Sequence, residues 1–228
     1  MTVSLIAVDG TGGETEIYET LIENLLSKHI NEIGIDLEEV ILITANRGYE
    51  RSDWKIHHID SMSYDEYSEF LFNRLGKFFD SDKVFHIQND GFMHNNEMWD
   101  PEFLEYDYIG APWPSHLPWC RGSEKVGNGG FSIRSKKLYN LTEKLNFRFH
   151  ANQNRVMIND DVAISYVYRD HLEENGVKFA PVDVARRFAV EIPLDEDHNL
   201  GSCFGFHGKN YMEDNENLSD YLKTRNSE

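Results

Sequence analysis

Two ionisable side chains stand at the ends of apolar segments that lie far apart in the chain. Asp90 follows the apolar run at 84–87, and His207 closes the run at 204–206. A carboxylate oxygen and an imidazole nitrogen are ligands that a divalent cation accepts, and ligands collect at strand ends in α/β sheets. The pair therefore predicts a divalent cation beside a diphosphate, with Lys209 next to the departing phosphate.

A glycine-rich run, GNGGFS at 127–132, and an acidic pair lie between those two residues. Three glycines in four positions indicate positive φ or a close approach to the backbone. The run is interpreted either as a tight turn that opens a strand or as a floor for a sugar ring, which would touch Asn128, Gly129 and Gly130. Asp160 and Asp161 precede an apolar helical pattern, where the first suits an N-cap. A carboxylate held at a helix start is also well placed to accept a proton from a hydroxyl nucleophile.

The elements that must position these residues alternate between strands and helices in the first half of the chain. Apolar runs predict strands at 2–8, 40–44, 54–59 and 84–87. Helical spacing predicts helices at 14–30 and 63–79, the second beginning with Ser63 and Glu66 in capping-box register. This alternation is typical of a mainly parallel sheet, so the fold class is α/β with a nucleotide-binding lobe. Asp9 and Asp90 then lie at the carboxyl ends of strands.

The composition and periodicity of the sequence change after Asp90. Residues 91–130 are rich in Trp, Pro, Gly and Asn and read as ordered loops, in which Trp113 and Trp119 offer faces for an acceptor sugar or pack in the core. Helices are expected at about 135–145 and 161–175, and strands at 178–182 and 189–192. We expect one domain over 1–211, with halves at about 1–95 and 96–211, and an acidic tail at 212–228.

Composition restricts the partners. The formal net charge of −18 disfavours nucleic acid and anionic membrane surfaces, which repel such a chain. Two cysteines are too few for a disulfide framework and suggest free thiols. The apolar start runs directly into Asp9 and is interpreted as a strand, and the sequence has no stretch of about 20 apolar residues. These features predict a cytoplasmic protein without a transmembrane segment.

The segments HIQND, YDYIGAPW, VGNGGFSIRS, NDDV and FGFHG, in this order and spacing, resemble the GT-A class of nucleotide-sugar glycosyltransferases. More narrowly, they resemble a family of small bacterial and viral glycosyltransferases of that class. The resemblance implies a GT-A-like, Rossmann-type nucleotide lobe fused to a smaller acceptor lobe. It also implies a nucleotide-sugar donor, for which UDP is expected, a glycan or glycoprotein acceptor, and Mn²⁺ or Mg²⁺ as cofactor.

The site residues follow from the same resemblance. Asp90 matches the last acid of the Asp-x-Asp metal motif, and Gln88 stands where the first acid would be. Gln88 and Asn89 are assigned to the nucleotide or diphosphate, and His207 matches the late metal histidine. The resemblance further implies that Asp160 and Asp161 form the acidic motif of inverting members, with Asp161 as the base. It also implies that Asn128, Gly129 and Gly130 touch the donor sugar. Asp9 is expected near the nucleobase and ribose.

Two other functions stay open at this point. A nucleotidyltransferase has a similar sheet, but it usually carries a basic glycine-rich loop after its first strand, and residues 10–16 contain no Lys or Arg. A non-catalytic carbohydrate-binding module would use the aromatic loops and would not need Asp161 or His207. The sugar, the acceptor and the oligomeric state are not encoded in any of these motifs.

Overall fold

A computed structural model of the protein describes residues 1–147 and 158–214. Its central feature is a six-stranded sheet in the order β3-β2-β1-β4-β9-β6, in which β9 alone runs antiparallel to its neighbours. The mainly parallel sheet predicted from the sequence is confirmed. The strands of this sheet are β1 (Val3–Asp9), β2 (Leu37–Thr44), β3 (Lys55–His58), β4 (Lys83–Ile87), β6 (Tyr108–Gly110) and β9 (Phe131–Ser135).

Helices cover both faces of the sheet. The helices of the described residues are α1 (Thr15–Asn24), α2 (Asn31–Ile33), α3 (Tyr64–Asn73), α4 (Lys136–Leu145), α5 (Asp160–Val162), α6 (Arg169–Glu174), α7 (Val182–Phe188) and α8 (Lys209–Asp214). Leu25–Ile30 joins α1 to α2, and Ala163–Val167 follows α5, both as π-helical turns. Short 3₁₀ turns occupy Leu75–Lys77, Asn96–Met98, Pro101–Glu105, Pro118–Cys120 and Leu200–Ser202.

The continuous apolar character of β1 reflects burial on both faces. Leu5 belongs to the same hydrophobic cluster as Ile22 of α1, whereas its neighbour Ile6 belongs to the cluster that contains Leu71 of α3. Successive side chains of a strand point to opposite faces, so a strand covered twice needs apolar residues at every position. The ends of β1 and β4 are thereby fixed in a rigid frame.

Two small sheets complete the fold. β5 (Gly91–Met93) pairs antiparallel with β11 (Gly205–His207), which pairs parallel with β10 (Ala189–Val190). β7 (Pro112–Trp113) pairs with β8 (Lys125–Val126). The sequence NDG at 89–91 is a turn, but the strand that follows it does not fold back on β4. It pairs instead with the segment that carries His207.

Most predicted elements are present, with one clear difference. The capping box is confirmed, because the backbone N–H of Ser63 donates to Glu66 at 2.8 Å and the reciprocal bond is present. The strand expected at 178–182 is wrong. Only a single bridge joins Phe179 to Tyr108, and α7 begins at Val182, since Pro181 and Asp183 suit a helix start.

Strands from both sides of residue 95 share the central sheet, since β4 pairs with β9. The division into halves near that residue stays a prediction. Helix α8 extends into the expected acidic tail, and residues 215–228 lie outside the described part of the chain. Cys120 and Cys203 are both buried free thiols, as expected. Over residues 1–147 and 158–214, we find no helix with the length and apolar character that a membrane span requires.

Candidate active site

A cleft of about 530 Å³ opens at the carboxyl ends of β1 and β4, where ligands bind in parallel α/β sheets. Residues of α3, the acidic pair and the end of β11 all line it. Eight of the residues predicted from the sequence line this cleft: Gln88, Asn89, Asn128, Gly130, Asp160, Asp161, His207 and Lys209.

Asp90 and His207 meet directly, although they lie 117 positions apart in the sequence (207 − 90). The pairing of β5 with β11 places Gly91 opposite His207, and the backbone N–H of Gly208 donates to the carbonyl of Asp90 at 2.8 Å. As a result, Asp90 Oδ1 lies 3.1 Å from His207 Nε2. A local antiparallel register, and not proximity in sequence, therefore creates the pair.

The imidazole of His207 is held on its other side as well. Its Nδ1 lies 3.2 Å from Glu191 Oε1 and 2.8 Å from the side-chain amide of Asn128. Burial opposes a charge on the ring, but the hydrogen bonds that the ring donates to Asp90 and Glu191 outweigh this effect and raise the pKa of His207 to about 10. The pKa of Asp90 is lowered, since the hydrogen bond and charge of His207 exceed the effect of its own burial.

Asp90 and His207 carry donor atoms that a divalent cation accepts, a carboxylate oxygen and an imidazole nitrogen. Their separation of 3.1 Å is that of an ion pair in this structure, so a cation bound by both would have to displace the proton on His207 Nε2. Glu191 on the far ring nitrogen is the kind of carboxylate that orients a ligand histidine. Within the described residues, no group of three or more His, Cys, Asp or Glu side chains could hold a metal ion by itself. Mg²⁺-type sites complete such a shell with phosphate and water oxygens.

The glycine turn permits close approach. Positive φ occurs at other glycines of the chain, such as Gly12 and Gly208. A Cβ on Gly130 would lie 2.1 Å from His207 Nε2, and a Cβ on Gly129 would lie 3.0 Å from the Cβ of Asp161. The run GNGGFS is therefore the bare backbone against which the two candidate functional side chains pack, and Gly130 also lines the cleft.

Asp160 and Asp161 start α5 but differ in their partners. Asp160 is buried and forms an ion pair of 2.8 Å with the fully buried Arg134. Asp161 is half-buried in the cleft wall, and its Oδ2 accepts from the backbone N–H of Gly129 at 3.1 Å. Burial, followed by the charges of Asp160 and Glu191, raises the pKa of Asp161 to about 7. A carboxyl that titrates near neutrality is suited to general-base chemistry.

Asp9 does not contact the cleft in the way expected from the sequence. It is fully buried, and both of its oxygens accept hydrogen bonds from its own loop and from β2. Oδ1 accepts from the backbone N–H of Gly12 at 2.8 Å, and Oδ2 accepts from Thr15 and Thr44 at 2.6 and 3.2 Å. With its oxygens engaged, Asp9 shapes the loop after β1, and a direct contact with nucleobase or ribose does not fit this arrangement.

The prediction that Trp113 and Trp119 offer faces for an acceptor sugar is also corrected. Trp113 is buried, packs edge-to-face on Trp119 at 5.5 Å, and donates its indole N–H to Glu191 Oε2 at 3.1 Å. The two tryptophans form a small hydrophobic cluster with Cys120 and Val162. Of the two alternatives, this packing favours a core role for them. Among the tyrosines that line the cleft, Tyr64 is the exposed one, at 55%, and it starts α3.

The remaining predicted residues, Lys209, Asn89 and Gln88, also line the cleft. Lys209 is exposed at the start of α8 and lines the cleft. Asn89 donates to Glu14 Oε1 at 2.8 Å, and Gln88 Nε2 lies 3.4 Å from the hydroxyl of Tyr67. Burial raises the pKa of Glu14, and Asp9 adds to this effect.

Sequence reasoning missed Glu191, Arg134 and Tyr64. Glu191 follows β10 at a position without a recognisable motif, and it reaches His207 only because β10 pairs with β11. Arg134 lies inside the segment VGNGGFSIRS on a strand that the sequence analysis did not delimit, and a fully buried arginine there needs an acidic partner. Tyr64 immediately follows the N-cap Ser63, so the predicted capping box already placed this residue at the start of α3.

The comparisons with known proteins give a family and a fold. The sequence profile of the family described as "Protein of unknown function (DUF5672)" matches residues 53–207. The chain belongs to this family. The matched segment contains Asp90, the glycine turn, both aspartates of α5 and His207, so it spans the centre of the candidate site. No curated protein matches the chain in sequence.

Solved structures are similar to the chain at low identity. A glycosyltransferase involved in the glycosylation of the major capsid of PBCV-1 superposes with a TM-score of 0.56 and 10% identity, and the alignment covers 96% of this chain and 99% of that one. TarS (residues 1–349) from S. aureus gives 0.39 and 14%, covering 67% and 51%. HddC from Yersinia pseudotuberculosis gives 0.39 and 15%, covering 68% and 85%. The first likeness shows the fold, and the GT-A-like fold class expected from the sequence is confirmed.

Proposed function

We propose that the protein transfers a sugar from a nucleoside-diphosphate sugar, with UDP as the expected nucleotide, to a hydroxyl group of a glycan or glycoprotein. The observation that carries the proposal is that one cleft is lined both by Asp161 and by His207, whose imidazole pairs with Asp90 behind it. The fold likeness to a glycosyltransferase supports the same reaction class.

The donor end of the cleft needs positive charge. Glu14, Glu191 and Asp161 line it, Asp90 lies against His207, and Lys209 is the lining residue with a permanent positive charge among those described. A diphosphate is itself anionic and would be repelled from this surface. Asp90 and His207 would hold a Mn²⁺ or Mg²⁺ ion there, which supplies the charge that stabilises the nucleoside diphosphate as it leaves. Lys209 adds a second positive group at the departing phosphate.

The acceptor end offers a base. Asp161 is fixed by the backbone N–H groups of Gly129 and Val162, at 3.1 and 2.7 Å. In its ionised form it takes the proton of the acceptor hydroxyl as that oxygen attacks the anomeric carbon, and the bond from this carbon to the diphosphate breaks. A single displacement of this kind inverts the anomeric configuration. Tyr64 in the cleft lining presents an exposed aromatic face, which suits a pyranose acceptor.

The loop after β1 argues against a nucleotidyltransferase. Its backbone N–H groups at Thr11 and Gly12 donate to Asp9 and are not directed at a phosphate. A non-catalytic carbohydrate-binding module would have no need for a carboxyl with a pKa raised to about 7.

The test is release of nucleoside diphosphate from a panel of nucleotide-sugars, with acceptor glycans, Mn²⁺ and a chelator as variables. We expect release that requires the metal, is lost in Asp90→Ala and falls strongly in His207→Ala. Asp80→Ala is the matched control, because that carboxylate is 98% exposed and pairs only loosely with Lys136 at 3.5 Å. Release that continues undiminished in chelator would contradict the metal-dependent mechanism. Retention of the donor's anomeric configuration would contradict only the single displacement.

A further inference from the structure

Arg134 is among the largest fully buried side chains of the described residues, and its Nε, Nη1 and Nη2 atoms all donate hydrogen bonds. Nε donates to the hydroxyl of Ser132 at 3.0 Å, and Nη2 donates to the carbonyl of Gly129 at 3.1 Å. Nη1 donates to Asp160 Oδ2 at 2.8 Å and to the hydroxyl of Tyr139 at 3.3 Å. A buried guanidinium is costly unless its charge is paired, so this arrangement needs an explanation.

A chain of hydrogen bonds through Gly129 links Arg134 to Asp161, the candidate base. The carbonyl of Gly129 accepts from Arg134, and the N–H of the same residue donates to Asp161 Oδ2 at 3.1 Å. A Cβ on Gly129 would lie 2.4 Å from Arg134 Nη2 and 3.0 Å from the Cβ of Asp161, so both side chains pack against this one residue. Arg134 thus contacts Asp160 directly and Asp161 through Gly129.

We propose that Arg134 is a positioning residue that gives the two adjacent aspartates different roles. It holds the Asp160 carboxylate in an ion pair, although Asp160 also lines the cleft, and it fixes Gly129 so that Asp161 is the carboxyl that exchanges a proton with the acceptor. This inference rests on the proposed function for the identity of the acceptor, but the pairing it describes exists without any substrate.

The electrostatics around Asp161 agree with this division. Asp160 on the same helix and Glu191 after β10 are negative and disfavour its ionisation, whereas Arg134 on β9 favours it. The other titratable groups that face it are Tyr64 of α3 and Tyr108 of β6. Arg134 therefore offsets part of the repulsion from Asp160, which would otherwise hold Asp161 protonated to higher pH.

The test uses two substitutions with opposite expected effects. Asp160→Asn removes a negative neighbour, so the pKa of Asp161 falls by about one unit. Arg134→Gln removes the positive neighbour, so the pKa rises by about one unit. The double variant removes both charges and should titrate close to the wild type. Asp80→Asn is the control, since its carboxylate is almost fully exposed.

The primary readout is the titration of ¹³C-labelled aspartate carboxyls by NMR, with Asp161→Asn used for assignment. The second is the acidic limb of the kcat/KM profile, which should move with the same sign in each variant. An unmoved titration in Asp160→Asn, or shifts of the same sign in both single variants, would overturn the proposal and leave Arg134 a core residue only. The Asp160→Asn and double variants decide the matter even if Arg134→Gln does not fold.

The two levels of inference fail separately. Opposite NMR shifts without any sugar transfer would support the positioning role and refute the proposed function. Sugar transfer with an unmoved acidic limb of the kcat/KM profile would support the proposed function and refute the positioning role.

Discussion

Gly130→Ala should disable the site without removing any functional group. A methyl at this position would lie 2.1 Å from His207 Nε2 and 2.2 Å from its Cδ2. Ordinary contacts begin at 3.4 Å, so the imidazole would have to move by about 1.3 Å. That shift would separate Nε2 from Asp90 Oδ1, which now lie 3.1 Å apart.

Two magnitudes follow from this displacement. Misplacement of a reacting group by about 1 Å costs on the order of 10²-fold in rate. Loss of ligand geometry costs about 10- to 100-fold in metal affinity, as for other perturbations around a ligand histidine. We therefore expect turnover to fall by about 10²-fold and Mn²⁺ binding to weaken in parallel.

The assays are nucleoside diphosphate release and calorimetric titration with Mn²⁺ in the absence of sugar. The second is needed because Gly130 lines the cleft, and a methyl there could also obstruct the donor. Gly48→Ala is the matched control, since its Cβ would meet only Asn46 Oδ1 at 3.5 Å. Wild-type turnover and Mn²⁺ affinity in Gly130→Ala would refute the close packing of His207 on the glycine turn.

Three further substitutions test neighbouring parts of the site. Asp161→Asn should lower turnover by about 10²- to 10⁴-fold, because it removes the base. The same variant should unfold at higher urea than the wild type at pH 8 but not at pH 5, since the amide has no charge to bury. Glu191→Ala should weaken Mn²⁺ binding by about 10- to 100-fold, because His207 loses the carboxylate on its far nitrogen. Tyr64→Ala should raise the KM for acceptor more than it lowers kcat, since the exposed ring is lost from the cleft.

The sign of the pH effect at Asp161 follows from its raised pKa. The folded protein binds this proton more tightly than the unfolded chain, whose carboxyl titrates near 3.8. The stabilising contribution is complete below that pH and is lost as pH rises through about 7, whereas catalysis by the ionised base increases over the same interval. Equal urea midpoints at pH 8, unchanged Mn²⁺ affinity in Glu191→Ala, or an unchanged acceptor KM in Tyr64→Ala would each contradict the corresponding assignment.

The sequence was informative where function depends on local patterns. Continuous apolar runs predicted the parallel strands, and the register of Ser63 with Glu66 predicted the start of α3. The glycine turn was correctly interpreted as a place of close approach, but the sequence did not identify His207 and Asp161 as the groups that approach it.

Features that depend on distant pairing could not be predicted in this way. Glu191 reaches His207 through the register of β10 with β11, and that register leaves no mark in the local sequence. Asp9 lies at a strand end as expected, yet its loop uses both oxygens, which only the three-dimensional arrangement reveals. The local sequence around Trp113 is equally compatible with a sugar-binding face and with a core residue. In the structure, Trp113 packs against neighbours from other segments and is a core residue.

The central claim is that Asp90 and His207 together hold a divalent cation at the diphosphate of a sugar donor. Crystals of the protein grown with Mn²⁺ and UDP, with data collected at the manganese absorption edge, test it most directly. We predict one anomalous peak in contact with Asp90, His207 and the diphosphate, and its absence in Asp90→Ala. A peak elsewhere, or a bound diphosphate in the cleft without any metal between these two side chains, would contradict the claim.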